Sequence, residues 1–196
     1  MKQLCVCLLL VFGAAEAQQA ARPKVPVRKY EVSLGGGIAL PFAPEVFNGY
    51  WTHAYHVSGG IGYSLSPQLT LALLGEYNSF VFNDATKTTA FAPTALVNAF
   101  LNLKYSFLPL ATVRKWYPYI VAGAGVMNVS VSGLAAQPKG TTSVDELTFG
   151  IDGGAGIEYR LNTTTFIFLE GRGAMAFVTG NSYIALPARA GVRIRF

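Results

Sequence analysis

The sequence predicts an all-β fold, an eight-stranded antiparallel up-and-down transmembrane β-barrel, and three observations support this prediction. Eight segments alternate apolar residues with small or polar ones, which is the pattern of strands that have one apolar face. Hydrophobic residues make up 52% of the chain. Beyond the N-terminal segment, however, no uninterrupted apolar segment is close to the length of about 20 residues that a transmembrane helix needs. Charged residues fall on the face opposite the apolar one, where a soluble barrel would have its core.

The N-terminal segment has the features of a cleaved export signal. Lys2 gives a positive start, residues 4–12 form a short apolar run, and Ala15 and Ala17 frame a cleavage site. The run is too short to cross about 30 Å of hydrocarbon, which disfavours a membrane-anchoring helix. Both cysteines lie in this segment, so we expect no disulfide in the mature chain. The predicted organisation is a signal peptide at 1–17, a flexible periplasmic leader at 18–29 and an outer-membrane β-barrel at 30–196.

The predicted strands differ in how clearly their two faces separate. In the sixth, apolar Leu147 and Phe149 lie on the face opposite Asp152. The fifth is apolar on both faces, so its facing is ambiguous, and we assign Tyr119 and Val121 outward. The predicted strands cover approximately 30–40, 54–65, 69–78, 94–107, 117–129, 147–161, 167–175 and 184–196.

Connections of alternating length favour the same architecture, because outer-membrane barrels have short periplasmic turns and longer external loops. Residues 66–68 and 162–164 form tight turns, whereas the connection at 108–115 is longer and that at 178–182 is short. The long connections, which we expect on the external side, are 41–53, 79–93 and 130–146.

Aromatic residues gather near the predicted strand ends, which indicates the two girdles that flank the apolar band of such barrels. Ordinary strand preference for aromatic residues is the alternative explanation. The expected periplasmic girdle contains Tyr30, Tyr63, Tyr105, Phe107, Tyr117, Tyr159 and Phe196, and the external one contains Tyr55, Tyr77, Phe149 and Phe177.

The predicted inward face carries five acidic and six basic residues, a nearly neutral set. A soluble fold would bury these charges or expose rows of large apolar residues to water, and lipid outside the barrel removes that conflict. In an eight-stranded barrel the side chains fill the lumen, so we expect a self-neutralising plug; the alternative is a gated ion path. Inward glycines are expected to leave room for the long side chains. The predicted lumen charge network is Glu31, Glu76, Lys104, Asp152, Glu158, Arg160, Glu170, Arg172, Arg189, Arg193 and Arg195.

External loops are the candidates for any surface function, since rigid scaffolds often carry function on their loops. Phe47, Tyr50 and Trp51 make the first long loop aromatic and are the candidate contact residues for an unknown surface ligand. Packing of these rings against lipopolysaccharide is the alternative role. The net charge of +5, without a basic run, does not indicate a nucleic-acid partner.

Four segments of the chain resemble the small OmpA/OmpX-like outer-membrane β-barrel protein family: PYIVAGAG (118–125), GGAGIEY (153–159), LEGR (169–172) and the ending AGVRIRF (190–196). The resemblance covers approximately the whole mature chain. It implies location in the cell outer membrane, among lipid and lipopolysaccharide. It also implies that Phe196 forms part of the signal read by the barrel-assembly machinery. Members serve as structural anchors, adhesins, protective surface proteins or poor channels, so the resemblance does not imply one function.

One pair of residues raises an enzymatic alternative. Some outer-membrane lipid A deacylases resemble this chain in having a His and a Ser two residues apart on a barrel strand, as His56 and Ser58 are. In that family the pair comes late in the chain and faces lipid, whereas here it lies on the second strand and faces the lumen. We therefore predict no enzyme activity. His53, expected in a loop, and His56 make a poor metal site, and no metal or cofactor is expected.

Overall fold

The computed structural model describes residues 28–43, 51–82, 94–110, 114–131, 144–178 and 181–196. The predicted signal peptide and residues 18–27 of the predicted leader lie outside the described residues. Within the described residues, no helix is long and apolar enough to cross a membrane.

The described residues form eight antiparallel strands that close into one barrel in sequence order, as predicted. Each strand pairs with its sequence neighbours, and β1 pairs with β8 to close the sheet. We call the end that holds Tyr30 and Arg195 the periplasmic end and the opposite end the external end. The strands are β1 Tyr30–Ala43, β2 Trp51–Ser64, β3 Leu69–Phe82, β4 Thr94–Ser106, β5 Trp116–Val131, β6 Val144–Arg160, β7 Thr165–Val178 and β8 Asn181–Arg195.

Alternation in the sequence becomes alternation in exposure, because successive side chains of a strand point to opposite faces of the sheet. On β1 the side chain of Leu34 is 67% exposed, whereas that of Glu31 is 4% exposed. Leu169 and Glu170 on β7 show the same contrast. The outer surface is thus apolar and suited to lipid, and the predicted facing of the clearly alternating strands is confirmed.

The facing assigned to β5 was wrong. Tyr119 and Val121 are buried in the lumen, and so is Tyr117, which was expected in the periplasmic girdle. The period-two pattern of β5 cannot distinguish its faces because both are apolar. The neighbouring strands decide instead: the Cα partner of Tyr119 on β6 is Gly156, whose missing side chain leaves room for the ring inside the barrel.

The external ends of β1, β2 and β3 extend beyond their predicted limits. Trp51, predicted as a loop contact residue, begins β2 and is buried in the lumen, and His53 lies in the same strand rather than in a loop. Pairing with β3 continues to this point across a register shift between Trp51 and His53. The ladder supplies partners for backbone groups that a loop would leave to water. The other two loop candidates, Phe47 and Tyr50, lie outside the described residues.

Aromatic rings mark both ends of the outer surface. At the periplasmic end, Tyr30 contacts Tyr63 edge-on at a centroid distance of 5.4 Å and stacks on Phe196 at 6.2 Å. At the external end, Phe149 stacks on Phe177 at 6.1 Å. Apart from Tyr117, the predicted girdle residues lie on the outer face. Trp116, which pairs with Tyr159 at 4.6 Å, belongs to the periplasmic girdle as well.

The charged lumen as candidate functional site

The lumen is layered along the barrel axis. Its external half is lined by apolar side chains, its middle and periplasmic half hold the ionised groups, and a second apolar cluster lies at the periplasmic mouth. The ionised groups form two connected sets. The basal cluster consists of Glu31, Lys104, Glu158, Arg193 and Arg195, and the central cluster consists of Glu76, Asp152, Glu170, Arg172 and Arg189.

In the basal cluster, two carboxylates share three cations. Lys104 Nζ donates to Glu31 Oε1 at 2.8 Å and lies 3.3 Å from Glu158 Oε1, so it bridges both acids. Arg195 also bridges them, with Nε 3.1 Å from Glu31 and Nη2 2.6 Å from Glu158. Arg193 pairs with Glu158 and lies 3.4 Å from Glu31. These contacts join β1, β4, β6 and β8 across the barrel.

In the central cluster, Glu170 is the hub. Its Oε1 accepts hydrogen bonds from Arg172 Nε on its own strand and from Arg189 on β8, the latter at 2.7 Å. Arg172 also pairs with Asp152 on β6. Arg189 lies 3.9 Å from Glu76 on β3, so the contact between these two charges is looser than the others. Removal of Glu170 therefore leaves two arginines without their shared carboxylate.

Amide side chains complete the central cluster. Asn98 donates to Glu76 Oε2 at 3.3 Å. With its amide oriented to satisfy both polar atoms, Asn102 donates to Asp152 at 2.8 Å and accepts from Arg172 at 3.3 Å. Buried carboxylates need such additional donors because one ion pair does not replace all their hydrogen bonds to water.

Tyr119 connects the two clusters, although it was assigned to the lipid side. Its hydroxyl donates to Glu170 Oε2 at 2.8 Å. Its ring lies 5.7 Å from Lys104 Nζ and 5.6 Å from the guanidinium carbon of Arg193, within cation–π range. No period-two signal distinguishes Tyr119 from the other apolar residues of β5. The available sequence signal was its hydroxyl, which must find a partner when the ring is buried.

Arg160 occupies a different place from the other predicted network residues. It is half-buried at the periplasmic mouth, where Nη2 donates to the carbonyl oxygen of Leu110 at 2.8 Å. Its guanidinium lies over the rings of Tyr117 and Phe166. Among the described lumen residues, the two clusters then hold five acids and five bases: the basal cluster has one excess positive charge and the central cluster has one excess negative charge.

Inward glycines make room for these side chains, as predicted. A Cβ on Gly62 would lie 2.7 Å from Glu31 Cγ, and one on Gly154 would lie 2.9 Å from Arg172 Cγ. A Cβ on Gly156 would lie 2.5 Å from the Tyr119 hydroxyl. These distances are shorter than van der Waals contact, so a methyl group at each position displaces a member of the network. The glycines are thus part of the site's construction.

Apolar side chains fill the external half of the lumen. Large residues from β2 to β5, including Trp51, Phe80 and Phe100, pack against small ones from β1, β7 and β8. These packed side chains cover the central cluster on its external side. The lumen is therefore polar only in its middle and periplasmic half. The cluster comprises Ala39, Trp51, Ala54, Phe80, Leu96, Phe100, Met127, Val129, Ala174, Ala176 and Ala185.

The connection between β4 and β5, longer than a tight periplasmic turn, covers the periplasmic mouth. Leu110 is buried there against Tyr117 and Phe166. Its N–H donates to the carbonyl oxygen of Pro67 in the neighbouring turn at 2.8 Å, and its own carbonyl accepts from Arg160. The additional length that the sequence showed at 108–115 therefore brings an apolar side chain back over the lumen.

His56 and Ser58 are buried in the lumen, as predicted, but each has a different partner. His56 Nδ1 lies 2.7 Å from Asn78 Oδ1, and Ser58 Oγ accepts a hydrogen bond from Arg189 at 2.7 Å. The hydroxyl oxygen of Ser58 thus acts as an acceptor for the positively charged guanidinium of Arg189. This arrangement gives the hydroxyl no contact with the imidazole that activates a serine nucleophile.

An antiparallel eight-stranded barrel with an apolar outer face, aromatic girdles and an ionised lumen defines an integral outer-membrane protein. Residues 5–196 match the outer membrane protein beta-barrel domain family, and the chain belongs to that family. A search of the curated proteins finds no match.

Solved outer-membrane barrels share the fold at low sequence identity. Neisserial surface protein A is 16% identical, with a TM-score of 0.62 over 85% of this chain and 97% of that chain. The N-terminal barrel domain of Pseudomonas aeruginosa OprF is 19% identical, with a TM-score of 0.54 over 87% and 98%. Ail, the attachment invasion locus protein of Yersinia pestis, is 9% identical, with a TM-score of 0.53 over 86% and 100%. At these identities the likeness shows the fold alone.

Proposed function

We propose that this outer-membrane barrel is a non-conducting scaffold with a structural or surface-interaction role, adhesin-like or protective, exerted through its external connections. The observation that carries the proposal is the charge-balanced network in the lumen, with apolar side chains packed on both sides of it. An aqueous pore needs a continuous polar path, and the layer around Phe80 and Phe100 interrupts it. A scaffold needs only a rigid barrel, which the paired charges provide.

A narrow gated pore is the second candidate, and one contact favours it. Arg189 binds Glu170 at 2.7 Å and lies 3.9 Å from Glu76, so a small movement of its guanidinium exchanges one carboxylate for the other. A small cavity lies between the clusters and is lined in part by Lys104 and Arg193. The packed apolar layer at the external end weighs against this candidate.

A lipid A-modifying enzyme is the least supported candidate. Hydrolysis of an acyl chain requires a nucleophile that the lipid can reach, and Ser58 is 2% exposed inside the barrel. Its hydroxyl accepts from Arg189, whereas His56 contacts Asn78. We propose that both residues serve the lumen hydrogen-bond network.

Planar bilayer recordings test the scaffold against the pore. We expect the full-length protein to give no stable single-channel steps, because side chains fill the lumen of an eight-stranded barrel. Arg189→Ala should leave the recording unchanged, since the apolar layer persists in this variant. Long-lived open steps in the unmodified protein would contradict the scaffold, and steps that become more frequent in Arg189→Ala would support the gated pore.

Any surface ligand would be bound by the external connections, with Phe47 and Tyr50 as the remaining candidate contacts. Deletion of residues 45–50 is expected to leave the barrel's heat-dependent gel migration unchanged, because the deletion ends before β2 begins. Trp51→Ala is the control: it removes a packed lumen side chain and should lower the urea midpoint of unfolding. Failure of the deletion variant to assemble would mean that this connection serves the barrel rather than a ligand.

We also propose Phe196 as part of the signal that the barrel-assembly machinery reads. Its side chain is 57% exposed, stacks on Tyr30, and lies at the junction where β1 and β8 close the barrel. The backbone N–H of Phe196 donates to the carbonyl oxygen of Tyr30 at 3.0 Å. The ring is therefore accessible from the lipid side at the seam between the first and last strands.

A further inference from the structure

Two strands on opposite sides of the barrel begin with the same sequence pattern, an arginine and a lysine followed by an aromatic residue. Arg28-Lys29-Tyr30 leads into β1, and Arg114-Lys115-Trp116 leads into β5. In the closed barrel, β5 is four strands from β1 in either direction. We call these segments the β1 corner and the β5 corner. Both lie at the periplasmic end, where their strands begin.

Each corner combines two exposed cations with an aromatic ring on the lipid side. Arg28, Lys29, Arg114 and Lys115 are exposed, and none of the ion pairs formed between described residues includes them. The adjoining rings are also exposed, Tyr30 by 54% and Trp116 by 55%. Aromatic rings of this kind lie at the boundary between hydrocarbon and head groups. The cations next to them are therefore placed at the depth of the lipid phosphates.

The periplasmic rim offers these cations no competing carboxylate side chain. The turns between β2 and β3, between β4 and β5 and between β6 and β7 contain no Asp or Glu in the sequence. The acidic side chains at this end of the strands are Glu31 on β1 and Glu158, which is the Cα partner of Tyr117 on β5. Both are buried in the basal cluster and engaged there. The charge of the described rim is therefore positive.

Backbone contacts hold both corners in place. Ser64 N–H donates to the carbonyl oxygen of Lys29 at 2.7 Å, and Arg160 N–H donates to that of Lys115 at the same distance. Arg114 N–H also donates to the hydroxyl of buried Tyr117 at 3.2 Å. The backbone of Lys29 and that of Lys115 therefore continue the hydrogen bonding of the sheet just before β1 and β5 begin.

We propose that each corner binds the phosphate of an anionic phospholipid in the inner leaflet of the outer membrane. A phospholipid fits better than a periplasmic protein, because the ring beside each cation pair faces the acyl chains and a single lipid molecule can contact both features. Basic residues near a membrane surface attract anionic head groups, and each adds to the affinity. The corners then anchor the barrel to its leaflet at two opposite points.

Quenching of tryptophan by brominated lipids tests the β5 corner. The full-length barrel is reconstituted in phosphatidylcholine vesicles that contain a small fraction of brominated phosphatidylglycerol or brominated phosphatidylcholine. Trp116 is the reporter, and the signal of buried Trp51 is measured in Trp116→Phe and subtracted. We expect phosphatidylglycerol to be enriched roughly fivefold over phosphatidylcholine near Trp116, and its brominated form to quench Trp116 correspondingly more strongly.

Two double variants that lose the same number of positive charges show whether the lipid preference at Trp116 comes from the β5 corner or from the total charge of the barrel. Arg114→Ser/Lys115→Ser should abolish the preference at Trp116, whereas Arg28→Ser/Lys29→Ser should retain it. In Tyr30→Trp/Trp116→Phe the reporter moves to the β1 corner and the dependence should reverse. If a double variant does not incorporate, the two single serine variants of that corner are used, each with a partial loss.

Either of two results overturns the proposal. One is equal quenching of Trp116 by the two brominated lipids, which would mean that the β5 corner does not select the phosphate of an anionic lipid. The other is an equal fall in both double variants, which would assign the preference to the total charge of the barrel. Heat-dependent gel migration confirms that each variant is folded before it is measured.

Discussion

Replacement of Glu170 by alanine is expected to lower the free energy of unfolding of the barrel by about 3–5 kcal/mol, the cost of leaving a buried ion without its partner. Glu170 accepts hydrogen bonds from Arg172, Arg189 and Tyr119. Its removal leaves both guanidinium groups in the lumen and the tyrosine hydroxyl without its acceptor. Urea-induced unfolding, followed by tryptophan fluorescence and by the fraction of heat-modifiable protein on gels, measures the change.

Two further variants separate the charge network from general effects of substitution. Glu45→Ala removes a carboxylate from the connection between β1 and β2 and should leave the urea midpoint almost unchanged. Glu170→Gln keeps a carbonyl oxygen that accepts from Tyr119, so we expect a smaller loss than for Glu170→Ala. Equal midpoints for Glu45→Ala and Glu170→Ala would contradict a packed, charge-paired lumen.

Gly156→Ala is expected to destabilise the barrel by about 1–3 kcal/mol, the typical cost of forcing a methyl group into a packed interior. The new Cβ would lie 2.5 Å from the Tyr119 hydroxyl and 2.8 Å from the carbonyl oxygen of Leu169. The ring must move, and its movement breaks the hydrogen bond to Glu170. The effect of a single methyl group therefore extends into both charge clusters.

Gly171→Ala is the matched control for Gly156→Ala. It makes the same chemical change on the neighbouring strand, but Gly171 faces outward and a Cβ there meets nothing within 4 Å. We expect a midpoint equal to or above that of the unmodified protein, because alanine restricts the unfolded chain more than glycine does. A similar loss in both variants would show that Tyr119 does not depend on the space over Gly156.

The lumen residues were predictable as a set but not as pairs. Alternation identified the inward acids and bases on the six strands that carry them, since a charge cannot face lipid at low cost. It did not predict that Lys104 on β4 would bridge Glu31 on β1 and Glu158 on β6. These contacts cross the interior, and their geometry depends on barrel closure and on strand register, neither of which the pattern along one strand specifies.

Three residues show where the local pattern fails. Tyr119 lies on a strand whose two faces are both apolar, so neighbouring strands determine its side. Trp51 was taken as a loop residue because the sequence does not show how far pairing with β3 continues. Arg160 faces inward by alternation, but it lies at the end of β6, where it contacts the returning turn at Leu110 rather than the clusters.

By itself the sequence determined the class of fold, the number of strands and the face that each of seven strands turns to lipid. It did so because period-two alternation is a local property, and a residue in lipid is selected by its own hydrophobicity. The tertiary structure decided the facing of β5, the division of the charges into two clusters, the bridging role of Tyr119 and the cover over the periplasmic mouth. Each of these depends on side-chain contacts across the lumen, and such contacts join residues that are far apart in the chain.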